Sequence, residues 1–365
     1  MIRKTALLVL VFCLILILLG AALAQADGGL AVLGSSVATD FPTRLDFNLS
    51  AASDVSITDI RLHYIVDQRG YTQVTSEVYI DFTPAATVAE GWSWDMRKTG
   101  GLPPGSRIRY WWTVVDASAD KIETNPVQLQ FNDDRHAWQS LTEGMLTVYW
   151  YEGDEDFARK IMTTAQDVLA RLAESTGAKP EDPVKLYIYD DAQALRGAMI
   201  FPQEWTGGVA FTRFGTIAIG IAPGKLDWGR RAIAHELTHL VVHQMVFNPY
   251  NELPAWLDEG LAMYAEGTLP PTFADLLVEA EDDGSLISVR SLSSPFSAYA
   301  EQSTLAYAQS YSLVEFLIHN YGQSHMLELL RTFRKGSGYD QALGRVYDFD
   351  MDGLDRLWQG YVFPD

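Results

Sequence analysis

The chain has 365 residues, 48% of them hydrophobic, and this length suits two or three domains with apolar cores. Its formal net charge of −20 would repel anionic polymers, so we expect neither nucleic acid nor an acidic membrane surface as a partner. The single cysteine, Cys13, lies in an N-terminal apolar segment. The rest of the chain therefore has no thiol to form a disulfide, act as a nucleophile or bind a metal.

The first 24 residues are typical of an export segment. Two basic residues in MIRK precede an uninterrupted apolar run, and ALA-Q resembles a small-residue cleavage site after Ala24. We expect a cleaved signal peptide. Because the run approaches the ~20 residues that span a bilayer, an uncleaved membrane anchor formed by residues 5–24 is the alternative. Both predict a secreted or extracytoplasmic protein, and the second adds membrane attachment.

Residues 28–134 alternate between apolar and polar side chains with a period of two. In RLDFNL, Leu45, Phe47 and Leu49 fall on one face, and in DIRLHYIV, Ile60 and Leu62 do the same. Clusters of Gly, Pro, Asp and Ser separate such stretches. Short alternating strands with frequent turns predict an all-β antiparallel sandwich, either immunoglobulin-like or fibronectin-like.

The segment NDDRHAWQSLTEG breaks this alternation and predicts a linker. From residue 140 to 365 the predicted strands come first and the helices later, which favours an α+β domain. Within it, GGVAFTRFGTIAIGI predicts a glycine-bounded hairpin or edge strand. We expect its second part, GTIAIGI, to be an exposed edge that pairs with an extended peptide substrate.

The stretch IAHELTHLVVHQ fits the H-E-x-x-H pattern. Four helical residues advance about 6 Å and turn about 400°, so His235 and His239 share one face and can reach one ion. Neutral imidazole nitrogen is a good zinc ligand. Glu236 is rotated by about 100° from His235, which places it beside the metal as a candidate base for a water molecule.

A catalytic zinc site needs a third protein ligand. His243 is rejected because it lies roughly 12 Å along the helix from His235. Glu259, in NELPAWLDEGLAMYAEG, is the better candidate, since nineteen residues separate it from His239 and allow a second helix to return against the first. Glu266 lies seven residues after Glu259 on the same face, where we expect it to support a ligand or to meet substrate charge.

HELTH followed after nineteen residues by WLDEGLAMYAEG resembles the gluzincin zinc metallopeptidases, and the arrangement is similar to the bacterial peptidase MA-like domain proteins. The resemblance implies a zincin-like catalytic domain, zinc bound by His235, His239 and Glu259, and Glu236 as the catalytic base. The second block looks like the WLNEG segment of the aminopeptidase branch, with Asp258 in place of Asn as a support.

Two positions depart from the patterns of the related branches. Met263 stands where the thermolysin branch carries an acidic residue four positions after the ligand glutamate. WTGGVAFTRFG lacks the glutamate with which the aminopeptidase branch grips a free amino terminus. The zinc chemistry that the resemblance implies therefore does not extend to aminopeptidase specificity.

Related enzymes use a tyrosine or histidine downstream of the ligand glutamate to stabilise the oxyanion, and we choose Tyr307 from STLAYAQSYSLVEFLIHNYG. The function expected is an exported zinc-dependent metallopeptidase that cleaves a peptide or protein substrate. Two alternatives remain at this point: a non-catalytic surface protein with a structural zinc domain, and a zinc amidase acting on cell-wall material. The sequence leaves the substrate, endo- or exopeptidase action, the role of the sandwich and the oligomeric state open.

Overall fold

The computed structural model describes residues 29–203, 206–297 and 300–363. The predicted signal peptide or anchor, residues 1–24, lies outside the described residues. Among the helices that are described, none combines the length and the apolar character that a membrane crossing requires.

The N-terminal part is an antiparallel sheet of seven strands. They are β1 (Ala31–Asp40), β2 (Arg44–Val66), β3 (Ser76–Tyr79), β4 (Ala85–Asp95), β5 (Ser106–Asp116), β6 (Lys121–Glu123) and β7 (Val127–Phe131). The first half of β2 pairs with β1 and β4, and after a register shift its second half pairs with β3 and β5. Leu45, Phe47 and Leu49 are buried on one face, as their alternation predicts. The predicted all-β class of this part is confirmed.

A second sheet has five strands in the order β11-β12-β10-β9-β8. They are β8 (Gln139–Glu143), β9 (Leu146–Trp150), β10 (Val184–Tyr189), β11 (Gly208–Phe211) and β12 (Thr216–Gly220). β12 is parallel to β10 on one side and antiparallel to β11 on the other. The hairpin prediction holds, but the expectation that GTIAIGI is the exposed edge is wrong. All five residues of β12 are buried, as is typical of a central strand, and β11 is the edge.

The helices follow mainly after this sheet, so the predicted order of an all-β part and then an α+β part is confirmed. They are α1 (Glu155–Ser175), α2 (Ala192–Gly197), α3 (Leu226–Val246), α4 (Ala255–Glu266), α5 (Pro271–Asp282), α6 (Val289–Leu292), α7 (Ala300–Tyr321), α8 (Gln323–Arg334), α9 (Tyr339–Tyr347) and α10 (Met351–Val362). Helix α1 begins where the Asp154 side chain accepts a hydrogen bond from the Phe157 amide at 2.9 Å. Its apolar face, including Phe157, Ile161 and Leu172, joins one core with α3 and the strands.

The other face of the second sheet packs against the N-terminal sheet. Tyr187 and Tyr189 of β10 are buried in the same core as the N-terminal strands. The predicted linker is wrong in two respects: residues 139–143 form β8, and the side chain of Asp133 is buried. Asp133 pairs with Arg135 at 2.6 Å and accepts a hydrogen bond from the Tyr189 hydroxyl at 3.1 Å. The charge of Asp133 can be buried because Arg135 and the Tyr189 hydroxyl are its partners.

Candidate metal centre

Helix α3 brings two imidazoles together under the second sheet. His235 and His239 are one turn apart, and their Nε2 atoms are 3.2 Å from each other. The helix is held against the sheet by an apolar side that includes Ile233, Leu237 and Leu240, all fully buried. Because this apolar side packs in the core, the two histidines lie on the opposite side of α3.

Helix α4 supplies a carboxylate to the same point. Glu259 Oε2 lies 3.5 Å from the Nε2 atoms of both His235 and His239. The next residue, Gly260, explains how α4 reaches its position against α7. A Cβ at Gly260 would lie 2.4 Å from the backbone carbonyl oxygen of Ser310, so only glycine permits this approach of the two helices.

The three atoms have the spacing that zinc requires. Tetrahedral zinc with bonds of about 2.0–2.1 Å separates its ligand atoms by about 3.3–3.4 Å. The observed separations are 3.2, 3.5 and 3.5 Å. Glu259 Oε2 is also buried and forms no hydrogen bond. A buried carboxylate oxygen without a donor is costly, and a cation between these three atoms would satisfy it. The donor set therefore fits a zinc ion.

A second layer of carboxylates sets the tautomer of both imidazoles. Glu266 lies 2.8 Å from Nδ1 of His235, and Asp258 lies 2.9 Å from Nδ1 of His239. A carboxylate can only accept, so each Nδ1 must carry a proton, and each Nε2 is left to face the ligand cluster. The structure thus places Glu266 against His235, one of the candidate ligands, and it places Asp258 where the resemblance implies a support.

His243 contacts this layer and not the three-atom cluster. Its Nε2 donates to Asp258 Oδ2 at 2.9 Å, while Asp258 Oδ1 faces His239. Asp258 is therefore held between two imidazoles. Met263, at the position where the thermolysin branch has an acidic residue, is buried and apolar. Glu266 contacts His235 from one turn farther along α4.

The charges of this cluster favour a positive centre. Burial lowers the pKa of His235, but the carboxylates of Glu259 and Glu266 outweigh it and raise this pKa to about 9. Burial raises the pKa of Glu259, but the two histidines outweigh it and lower this pKa to about 2. Asp258 is likewise held well below its usual pKa by His239 and His243, although burial opposes them. Carboxylates that stay ionised around two imidazoles are suited to hold a divalent cation.

Glu236 lies beside the cluster and against the edge strand. Burial raises the pKa of Glu236, and the negative charge of Glu259 adds to this, while both histidines and the backbone amide of Ala210 oppose it. A Cβ at Gly208 would lie 2.8 Å from Glu236 Oε1 and 2.9 Å from its Cγ. The carboxylate therefore occupies space that exists because residue 208 has no side chain.

Tyr307 of α7 lies near the same carboxylates. Burial raises its pKa, and the charges of Glu259 and Glu236 raise it further, so the phenol stays protonated and able to donate. Its ring packs edge-on against Phe296, with centroids 5.2 Å apart. Tyr311, one turn later, instead donates to Glu315 at 3.2 Å. Of these two tyrosines, Tyr307 is the one whose pKa is raised by the charges of Glu259 and Glu236.

Two contributors to the site are not predicted by the sequence. Gly208 stands in a Gly-Gly pair before a short strand, which signals a close backbone approach without saying what approaches. The link from His243 through Asp258 to His239 joins two helices, and the sequence spacing alone does not reveal it. The sequence shows only that His243 follows His239 by one helical turn, in the series His235, His239 and His243.

Comparison with known proteins identifies a family. Residues 164–364, more than half of the chain, match the model described as the Peptidase MA superfamily. No curated protein sequence matches the chain.

Three solved structures align with the structure of this chain. An M1 zinc metallopeptidase from Deinococcus radiodurans aligns with 11% identity and a TM-score of 0.37, over 92% of this chain and 94% of that one. Aminopeptidase A from Legionella pneumophila, solved with aspartic acid, aligns with 10% identity and a TM-score of 0.40, over 92% and 50%. Wild-type OgpA from Akkermansia muciniphila aligns with 9% identity and a TM-score of 0.22, and this chain covers 30% of its length.

Proposed function

The chain belongs to the Peptidase MA superfamily, and from this premise we propose that it is a zinc-dependent metallopeptidase that hydrolyses peptide bonds. One observation carries the proposal: His235, His239 and Glu259 bring three ligand atoms within 3.5 Å of one another, and the carboxylate oxygen has no hydrogen bond. Among the described residues, His235, His239 and Glu259 are the three that offer ligand atoms at this point, and three is the number typical of catalytic zinc sites.

A zinc ion bound there supplies a water of lowered pKa and an electrophile that polarises a carbonyl group. In this proposal Glu236 accepts a proton from the attacking water and delivers it to the departing amine. Burial raises the pKa of Glu236, which brings it nearer to neutrality and suits a group that must both take and release a proton. The Tyr307 hydroxyl donates to the oxyanion that forms at the carbonyl oxygen when the water attacks the carbonyl carbon.

The substrate is proposed to lie along β11. This strand is the edge of the second sheet, with β12 on its inner side, and no other described strand pairs with it. An extended peptide can add to such an edge through main-chain hydrogen bonds, which positions the backbone independently of side chains. Glu236 lies directly against Gly208 of this strand, so a peptide on its outer edge would be near the proposed base.

The proposed function is tested with zinc-loaded wild-type protein and Glu236→Gln, using casein and a mixed peptide library. We expect equal bound zinc in both proteins and a loss of cleavage of at least about 10²-fold in the variant. Equal zinc without cleavage by either protein would instead favour the non-catalytic surface protein. Activity on cell-wall amides but not on peptides would favour the amidase.

We also propose that the protein acts outside the cytoplasm, because an apolar run follows two basic residues at its N-terminus. Expression of the full chain, cell fractionation and mass measurement test this. A mature chain that starts at Gln25 supports a signal peptide, and a full-length chain in the membrane fraction supports an anchor. A full-length chain in the cytoplasm would contradict the proposal.

A further inference from the structure

A cavity of about 830 Å³ lies between the N-terminal sheet and the metal-binding half of the chain. We call it the inter-sheet cavity. One wall is the loop of residues 67–75 between β2 and β3, and the others are Thr212 and Arg213 after β11 and the segment from His243 to Leu253. Its volume lies within the range of about 300–1,000 Å³ that is typical of ligand-binding clefts.

The cavity is next to the candidate catalytic centre. Thr212, which lines the cavity, directly follows the last residue of β11. A peptide that lies along this strand therefore reaches the cavity at the Phe211 end of the strand. His243 also lines it, and His243 is joined to His239 through the two oxygens of Asp258. The cavity is thus connected to His239, a proposed metal ligand, through His243 and Asp258.

The loop from the N-terminal sheet is attached to the opposite wall by specific contacts. The Arg69 amide donates to the Arg213 carbonyl oxygen at 2.7 Å. The Tyr71 ring stacks on Phe247, with centroids 4.5 Å apart and planes at 7°, and the Arg69 guanidinium lies 5.0 Å from the same Phe247 ring. These contacts fix the loop between β2 and β3 as one wall of the cavity.

One cation in this wall has no counter-ion in the part of the chain that the structure describes. Arg69 is paired with Glu181 at 2.8 Å and with Asp182 at 3.1 Å. Arg213 is exposed, and no ion pair to it is found among the described residues. In a chain of net charge −20, the guanidinium of Arg213 is thus free to attract an anionic group to this cavity.

The other charged groups of the lining do not neutralise Arg213. Asp67 pairs with Arg107 at 3.3 Å. Burial raises the pKa of Tyr339 in α9, and the negative charge of Glu252 raises it further. Glu252 therefore lies close to α9. Arg69 and Arg213 both act on the Tyr71 phenol, where they oppose the increase in pKa caused by burial. The end of the cavity nearest β11 is therefore cationic.

We propose that the inter-sheet cavity binds a carboxylate of the peptide that lies along β11, with Arg213 as its charge partner. This inference rests on the proposed function, because it takes the occupant to be a peptide. The carboxylate can come from an acidic side chain or from the C-terminus of the peptide. Arginine suits either source, since its planar guanidinium binds carboxylates through two parallel hydrogen bonds.

The test measures binding, so that it does not depend on turnover. The Glu236→Gln protein, loaded with zinc, is titrated with fluorescein-labelled decapeptide libraries that carry one fixed Glu or one fixed Gln at the same position. Each library is made with a free C-terminus and with a C-terminal amide. Fluorescence anisotropy gives the dissociation constants.

We expect the libraries with a carboxylate to bind about 5- to 10-fold more tightly than the neutral ones, and less so at high salt. Adding Arg213→Gln should abolish this preference, whereas Arg213→Lys should keep part of it. Arg171→Gln, which removes an exposed arginine of α1 that does not line the cavity, should leave the preference unchanged.

The four libraries separate the two sources. A preference for Glu in the amidated libraries identifies a side chain, and a preference for the free acid in the Gln libraries identifies the C-terminus. A preference that survives Arg213→Gln, equal binding of all libraries, or no binding would overturn the inference. The proposed function fails on a separate result: wild-type protein that binds these peptides but cleaves none of them.

Discussion

The substitution Gly208→Ala tests whether the edge strand positions the proposed base. The added Cβ would lie 2.8 Å from Glu236 Oε1 and 2.9 Å from its Cγ, against an ordinary separation of about 3.5–4.0 Å between carbon atoms. Because Glu236 is enclosed by β11 and the ligand cluster, its carboxylate must move by roughly 0.6–1 Å. A displacement of about 1 Å at a catalytic group can cost about 10²-fold in rate, or about 2.7 kcal/mol in the activation free energy.

The assay compares kcat/KM on a casein-derived peptide with bound zinc and thermal stability. We expect activity to fall about 100-fold while the zinc content stays at the wild-type value, because the three atoms nearest the added Cβ all belong to Glu236 and not to the proposed ligands. Gly224→Ala is the matched control, since a Cβ there meets no atom within 4 Å. Activity of Gly208→Ala within threefold of wild type, with zinc bound, would refute the reasoning that this glycine seats the base.

Three further predictions follow from the same cluster. Tyr307→Phe should lower kcat by about 10²- to 10³-fold with unchanged zinc content, as expected for loss of an oxyanion donor; undiminished turnover would remove Tyr307 from the mechanism. His243→Leu should weaken zinc binding several-fold, because Asp258 Oδ2 loses its hydrogen-bond donor. His243→Gln should retain more zinc affinity than His243→Leu, and competition with a chromogenic chelator measures both. Equal zinc affinities of the wild type and the two variants would contradict this positioning role of His243. The stability of the zinc-free protein should depend on pH in two windows, measured by thermal unfolding. The pKa of His235 is raised to about 9, so its contribution is complete below about 6.5 and is lost as pH rises through about 9. The pKa of Glu259 is lowered to about 2, so its contribution is present above about 4.5 and is lost as pH falls through about 2. A melting temperature that is flat from pH 6.5 to 9 would contradict the first assignment.

Much of the fold followed from local patterns. The period-two alternation predicted the all-β N-terminal part, and the order of strands before helices predicted the α+β part. Strand β12 shows where such patterns mislead. Its run of small and apolar residues suits a strand, but the sequence could not say whether both of its edges are paired. In the structure β12 pairs with β10 on one side and with β11 on the other, so β11 is the edge strand.

The sequence by itself determined the two imidazoles and the adjacent glutamate, because four residues make about one helical turn and the relation of His235, Glu236 and His239 is therefore local. It also permitted Glu259 as a third ligand, since nineteen residues are enough for a second helix to return. Only the tertiary structure decided that Glu259 lies next to the imidazoles of His235 and His239. This position depends on Gly260, which lets α4 pack closely on α7. The same holds for the support of His235 by Glu266, the link from His243 to Asp258, and the space that Gly208 leaves for Glu236. Each of these contacts joins segments distant in the chain, and their distances are fixed by side-chain packing that no local spacing specifies.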